Sequence, residues 1–98
     1  MLYAVLFEDN TDLAHMRSKH MPDHLTFLET HADTIRSAGP LEDTADETPA
    51  GGLWLVEAED TKAVGRLVET DPLWPTGLRK TVRILRWTQV YADGERRI

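Results

Sequence analysis

The chain holds few groups suited to proton transfer near neutrality, and the best placed of them is His24, in Met21-Pro22-Asp23-His24-Leu25. An imidazole titrates around pH ~6.5 when unperturbed, so it suits a general acid or base. Asp71, in Asp71-Pro72, is the second candidate. A carboxylate beside an imidazole orients its tautomer and stabilises its cationic form. Both residues also have a plainer reading. A histidine on a helix flank is commonly a surface group, or a core-edge group satisfied by one hydrogen bond, and Asp-Pro is a common helix-ending turn. Ser18 and Ser37 lack the Gly-x-Ser-x-Gly setting of an activated nucleophile. Gly51-Gly52 is a turn signal and not a phosphate-binding loop.

A metal reading is weaker. His20, His24 and His31 would lie along one side of a continuous helix. However, His20 precedes Pro22, where the helix should break, and His31 would sit ~10 Å along the axis from His24. The acidic stretch from Glu42 to Gly51 could gather carboxylates around a divalent cation, but it lacks the glycine-centred spacing of a calcium loop. The sequence contains no cysteine, which removes disulfides, thiolate metal sites and thiol nucleophiles. That composition suits a reducing cytosol, and a cytoplasmic location is expected. No cofactor is required.

Positioning these groups falls to a small scaffold. Ninety-eight residues, with 41% hydrophobic and 29% charged side chains, predict one domain over residues 1–98 with a modest core. A net charge of −6 and a pI of about 5.1 argue against a dedicated nucleic-acid binder. No apolar run approaches the ~20 residues of a membrane span, and Met1–Asp9 lacks the basic flank and longer apolar run of a signal peptide. The expected partner is a small molecule, not nucleic acid or a membrane.

Leu2 to Glu8 is a nearly continuous apolar run, which predicts a central strand covered on both faces. Thr11 is a plausible cap for a short helical piece over residues 12–19. Proline suits the first turn of a helix and restricts the residue before it, so the spacing predicts a joint at His20-Met21 and a main helix from Pro22. Leu25, Leu28, Ala32 and Ile35 then form an apolar stripe, with His24 and His31 on its flank about 50° from the centre. A second strand is predicted from Thr34 to Leu41, ended by Gly39-Pro40, followed by a solvated acidic loop over residues 42–51. Gly52 to Ala58 is a third strand. Asp60 or Thr61 should cap a second helix whose inner face is Ala63, Val64, Leu67 and Val68, with Gly65 marking close helix–sheet packing. Pro72 stops it. Leu73–Leu78 is a loop, and Arg79–Tyr91 is the last strand. Its Arg79–Arg86 portion reads as a half-exposed face, with a second reading as the anion-attracting edge of a pocket. Ala92–Ile98 is expected to be a frayed polar tail.

Strand, helix, strand, strand, helix, strand is the split βαβ, ferredoxin-like arrangement. It predicts an α+β fold with a four-stranded antiparallel sheet and helices on one side. The apolar runs of the first and third strands point to a second subunit covering the other face.

These features together resemble the YCII-related (YciI-like) proteins, up to about Tyr91. The resemblance is carried by Met1-Leu2-Tyr3, by Arg17 ahead of Pro22-Asp23-His24-Leu25, by Ala38-Gly39-Pro40, by Gly51-Gly52 opening an apolar strand, and by Asp71-Pro72. It implies a ferredoxin-like domain paired into a dimeric α+β barrel, a homodimer, with a site built on His24 and Asp71. The chain departs at Met21, where relatives often carry arginine; Arg17 is retained. Some members resemble dehydrochlorinases of chlorinated hydroquinones. The leading expectation is a cofactor-independent small-molecule enzyme of lyase, dehydrochlorinase-like or isomerase-like type. In it His24 moves the proton, Asp71 orients it, and Arg17 and Trp74 line the pocket. The alternatives are a non-catalytic ligand-binding or regulatory module of the same barrel type, and an oxygenase of the related barrel.

Overall fold

Strict alternation along two strands sets the architecture. In the computed structural model, which describes residues 1–98, β1 (Leu2–Asp9) buries Tyr3, Val5 and Phe7 and leaves Leu2, Ala4 and Leu6 half-buried. β3 (Thr48–Glu57) does the same with Trp54 and Val56 inside and Leu53 and Leu55 on the other face. Successive side chains of a strand point to opposite faces, so a continuous apolar run makes a sheet that is apolar on both sides.

The four-stranded antiparallel sheet has the order β2-β3-β1-β4, with β2 over Ile35–Asp43 and β4 over Arg79–Arg86. One face packs against α2 (Met21–Thr30) and α3 (Thr61–Thr70), while α1 (His15–Lys19), which buries no residue, precedes α2. The core joins Tyr3, Val5, Phe7, Trp54 and Val56 to Phe27 of α2 and to Val64 and Val68 of α3. On the opposite face Leu55, Ala4 and Leu85 are paired across three adjacent strands, and no element of the chain covers them.

The expected α+β fold, with its antiparallel ferredoxin-like sheet, is the one observed. Its details differ in instructive ways. α2 begins at the expected joint, with His20 as its N-cap and Pro22 in the first turn. Its buried face is shifted by one position, however: His24 and Phe27 are buried, whereas Leu25 is 48% exposed and the helix ends at Thr30, before Ala32 and Ile35. An imidazole can be buried when it has a hydrogen-bond partner, and His24 has one. The Gly39-Pro40 pair does not end β2. It lies within an edge strand, where a missing amide donor is tolerated, and the pairing shifts register between Pro40 and Glu42. The tail beyond Ala92 is not frayed. Tyr91–Ala92 pairs with Glu95–Arg96 around Asp93-Gly94, both with positive φ, the two-residue turn that favours a hairpin.

Two glycines behave oppositely. Gly51 has φ +90°, and a Cβ there would lie 1.8 Å from the Phe7 carbonyl oxygen, so only glycine fits. Gly65 sits within α3, and a Cβ there would meet nothing within 4 Å; close helix–sheet packing is not the reason for it. Gly65→Ala is therefore expected to raise stability by roughly 0.5–1 kcal/mol, the helix-propensity difference, measured by urea unfolding. A fall in stability would show that the groove beside it does not admit a methyl group.

Candidate active site

Three segments converge on a small cavity between α2 and the sheet. The α1–α2 joint at His20 (φ −102°, ψ 10°) still leaves Arg17, Met21, His24 and Leu28 on one side, at spacings of four, three and four. All four line a cavity of about 130 Å³. Phe7, Trp54 and Gly52 form part of its sheet wall. A Cβ on Gly52 would stand 3.3 Å from the Gly39 carbonyl oxygen and 3.9 Å from an Arg17 guanidinium nitrogen, so this glycine keeps the wall open.

Asp71 reaches His24 from the end of α3 without itself lining the cavity. Pro72 holds Asp71 extended (φ −62°, ψ 132°) as the helix C-cap. Its side chain turns inward with no exposed surface. Oδ1 accepts from the Leu73 amide at 3.0 Å and lies 2.9 Å from His24 Nδ1. Burial is the largest influence on this carboxyl and would raise its pKa. The hydrogen bond from His24, the Leu73 amide and the nearby Arg79 charge together outweigh it and hold the pKa below the ordinary 3.8. Asp71 is thus an ionised acceptor at neutral pH. An ionised carboxylate can only accept, so His24 carries its proton on Nδ1 when neutral. Nε2 is left as the basic nitrogen of a residue that lines the cavity.

Arg79 completes the cluster. Its Nη1 lies 2.7 Å from Asp71 Oδ2 with the side chain 2% exposed, an ion pair whose N–H bonds are not aimed along the contact. The guanidinium carbon stands 4.0 Å from the Phe7 ring centroid and 5.0 Å from that of Trp54, positions suited to cation–π attraction. Burial, the main influence, lowers the Arg79 pKa from its ordinary value, and the Asp71 charge works against that shift. The basic run of β4 does not advertise this residue. Val82 and Ile84 pack inward, and simple alternation would place Lys80 inside, not Arg79. The pairing with β1 steps from Glu8↔Thr81 to Asp9↔Arg79, and this register shift turns Arg79 into the core.

The other expected site residues divide. Arg17 lines the cavity and is paired with Asp9 at 2.6 Å. Trp74 does not reach it. Leu73 and Leu78 are the residues of that loop that turn fully inward, whereas Trp74 is 38% exposed and lies in a separate groove with Gly65, Val68 and Ile84. His31 is the C-cap of α2 and packs on Phe27 at 4.7 Å between ring centroids. No three His, Asp or Glu side chains converge in a way that could hold a metal ion. No helix is long and apolar enough to cross a membrane.

Comparison with known proteins shows the family. The family model of the YCII-related domain matches residues 1–88. Among solved structures, the chain is similar to a 5-chloro-2-hydroxyhydroquinone dehydrochlorinase, TftG, from Burkholderia phenoliruptrix AC1100, in complex with 2,5-dihydroxybenzoquinone. The two share 28% sequence identity with a TM-score of 0.77, covering 90% of this chain and 94% of that one. None of the curated proteins matches the chain.

Proposed function

Starting from the fact that this chain belongs to the YCII-related family, we propose that it is a small-molecule enzyme working by acid–base catalysis through His24 and Asp71. The reaction type is lyase-like, with dehydrochlorination as one example, or isomerase-like. The observation that supports this most strongly is the buried Asp71 carboxylate, 2.9 Å from Nδ1 of a histidine that lines a cavity. In this reading Nε2 of His24 takes a proton from the substrate, and Asp71 keeps the ring in the productive tautomer and stabilises the imidazolium that results. No step needs a redox partner.

The similar dehydrochlorinase defines the first assay. Chloride release from 5-chloro-2-hydroxyhydroquinone, followed under anaerobic conditions to suppress autoxidation, should proceed faster with the protein than without it. If the rate is unchanged while a panel of enolisable or halogenated hydroxyaromatics also goes unconverted, the proposal of an enzyme fails.

The assembly belongs to the same proposal. The row Leu55, Ala4 and Leu85, with Trp87 at its end, lines an open apolar groove on the face away from the helices. A second copy laid face to face would bury it and produce the dimeric α+β barrel. Light scattering at micromolar concentration should return twice the chain mass of 11.1 kDa. A stable monomer would remove the barrel from this account.

A further inference from the structure

Arg79 is a buried charge that proton transfer by His24 and Asp71 does not itself employ. Its side chain is 2% exposed, yet it forms part of the wall of the cavity that His24 lines. Nε and Nη1 are enclosed and find no aligned acceptor in the protein, whereas Nη2 makes no hydrogen bond and is not enclosed. Asp71 does not need Arg79 to be oriented, because Oδ1 already accepts from His24 and from the Leu73 amide. Unsatisfied donors on a buried guanidinium are costly. The flanking Phe7 and Trp54 rings restrict the group to one place. A fixed guanidinium whose Nη2 is left free at the cavity wall is suited to an oxyanion.

The charges of the site agree with that use. Arg17 is paired with Asp9, and Arg79 with Asp71, so two cations and two anions cancel while His24 is neutral. Proton uptake by His24 leaves one excess positive charge in a poorly solvated site, and an anion formed on the ligand would balance it. Resting on the acid–base reading above, we propose that Arg79 holds an ionised oxygen of the ligand beside His24, so that the cavity selects small molecules whose acidic oxygen is a carboxylate, enolate or phenolate. In the step this serves, a C–H or O–H bond of the ligand breaks and its proton forms an N–H bond on His24 Nε2. The electron pair stays on the ligand as an oxyanion facing Arg79. No oxidant or co-reactant is consumed.

The test uses two six-membered-ring probes of similar size and different charge. 2,5-Dihydroxybenzoquinone is a vinylogous acid, ionised at neutral pH, whereas hydroquinone is neutral there. Calorimetry on the whole protein should show the anion binding about ten-fold or more tightly than hydroquinone. Arg79→Gln should abolish that preference, leaving the two affinities within about three-fold of each other. An Arg79→Gln protein that keeps the preference, or loses affinity equally for both probes, overturns the inference. A second readout needs no variant. In wild-type protein the Arg79 Nε–H resonance should move on saturation with the anion and stay in place with hydroquinone; no movement with the anion also overturns the inference. Anion preference without any proton exchange between ligand and His24 would support the role of Arg79 and count only against the acid–base reading.

Discussion

Replacing Asp71 by alanine is expected to destabilise the protein by about 3–5 kcal/mol, the range for removing one partner of a buried ion pair. The side chain has no exposed surface, and three groups depend on it: His24 Nδ1, the Leu73 amide and the Arg79 guanidinium. Without it Arg79 is left buried with no counter-charge in contact, and the turn after α3 loses its side-chain acceptor. Whole domains are stable by only about 5–15 kcal/mol, so the loss is a large share of the total. Unfolding in urea can be followed by the fluorescence of Trp54, which is 2% exposed. A change below about 1 kcal/mol would mean that Arg79 finds compensation elsewhere. The double substitution Asp71→Leu with Arg79→Met should be less harmful than Asp71→Ala, because it removes both charges and not one.

The same carboxylate sets an acid limit. Its pKa in the folded protein lies below the ordinary 3.8, so its contribution to stability is fully present above the unfolded value. That contribution is lost as pH falls from about 4 through the folded pKa, where both states become protonated. In Asp71→Asn the stability of the protein should fall less steeply across that window. An equal slope in both proteins would show that other carboxylates govern acid unfolding.

The second large effect concerns His24. His24→Gln, which keeps a hydrogen-bonding side chain of similar length, is expected to lower turnover by about 10²–10⁴-fold, the usual contribution of a general acid or base. The pocket and fold should survive it, because Phe27, Phe7 and Trp54 carry the packing around the site. The fall should therefore appear mainly in kcat and less in KM. A variant that retains more than about a tenth of the rate would assign the proton transfer to another group.

Much of this site was legible in the chain because local chemistry and fold order agree. Pro22 located the start of α2, Asp60 capped α3 by accepting from the Ala63 amide, and Pro72 set the extended angles that turn Asp71 inward. The order of strands and helices predicted the sheet. What escaped depends on contacts distant in sequence. His24 reads as a flank residue because imidazole counts as polar. It is buried only because Asp71, 47 positions later, meets it. Arg79 is concealed for a related reason: a register shift against β1 turns it inward, and alternation along β4 alone points to Lys80. Trp74 is the largest side chain of its loop, yet the buried members are Leu73 and Leu78. The closing hairpin had a readable signal in Asp93-Gly94, which the polar composition of the tail outweighed.

The central claim is that Asp71 holds the His24 proton on Nδ1 and leaves Nε2 free to react. The most direct measurement is ¹⁵N NMR of the imidazole at a pH where His24 is neutral, in the wild-type protein and in Asp71→Asn. The account predicts a protonated Nδ1 and a bare, pyridine-like Nε2 in the wild type. It also predicts a shift toward the Nε2–H tautomer in Asp71→Asn, whose amide can donate to Nδ1. A wild-type His24 with its proton on Nε2, or a tautomer that Asp71→Asn leaves unchanged, would contradict it.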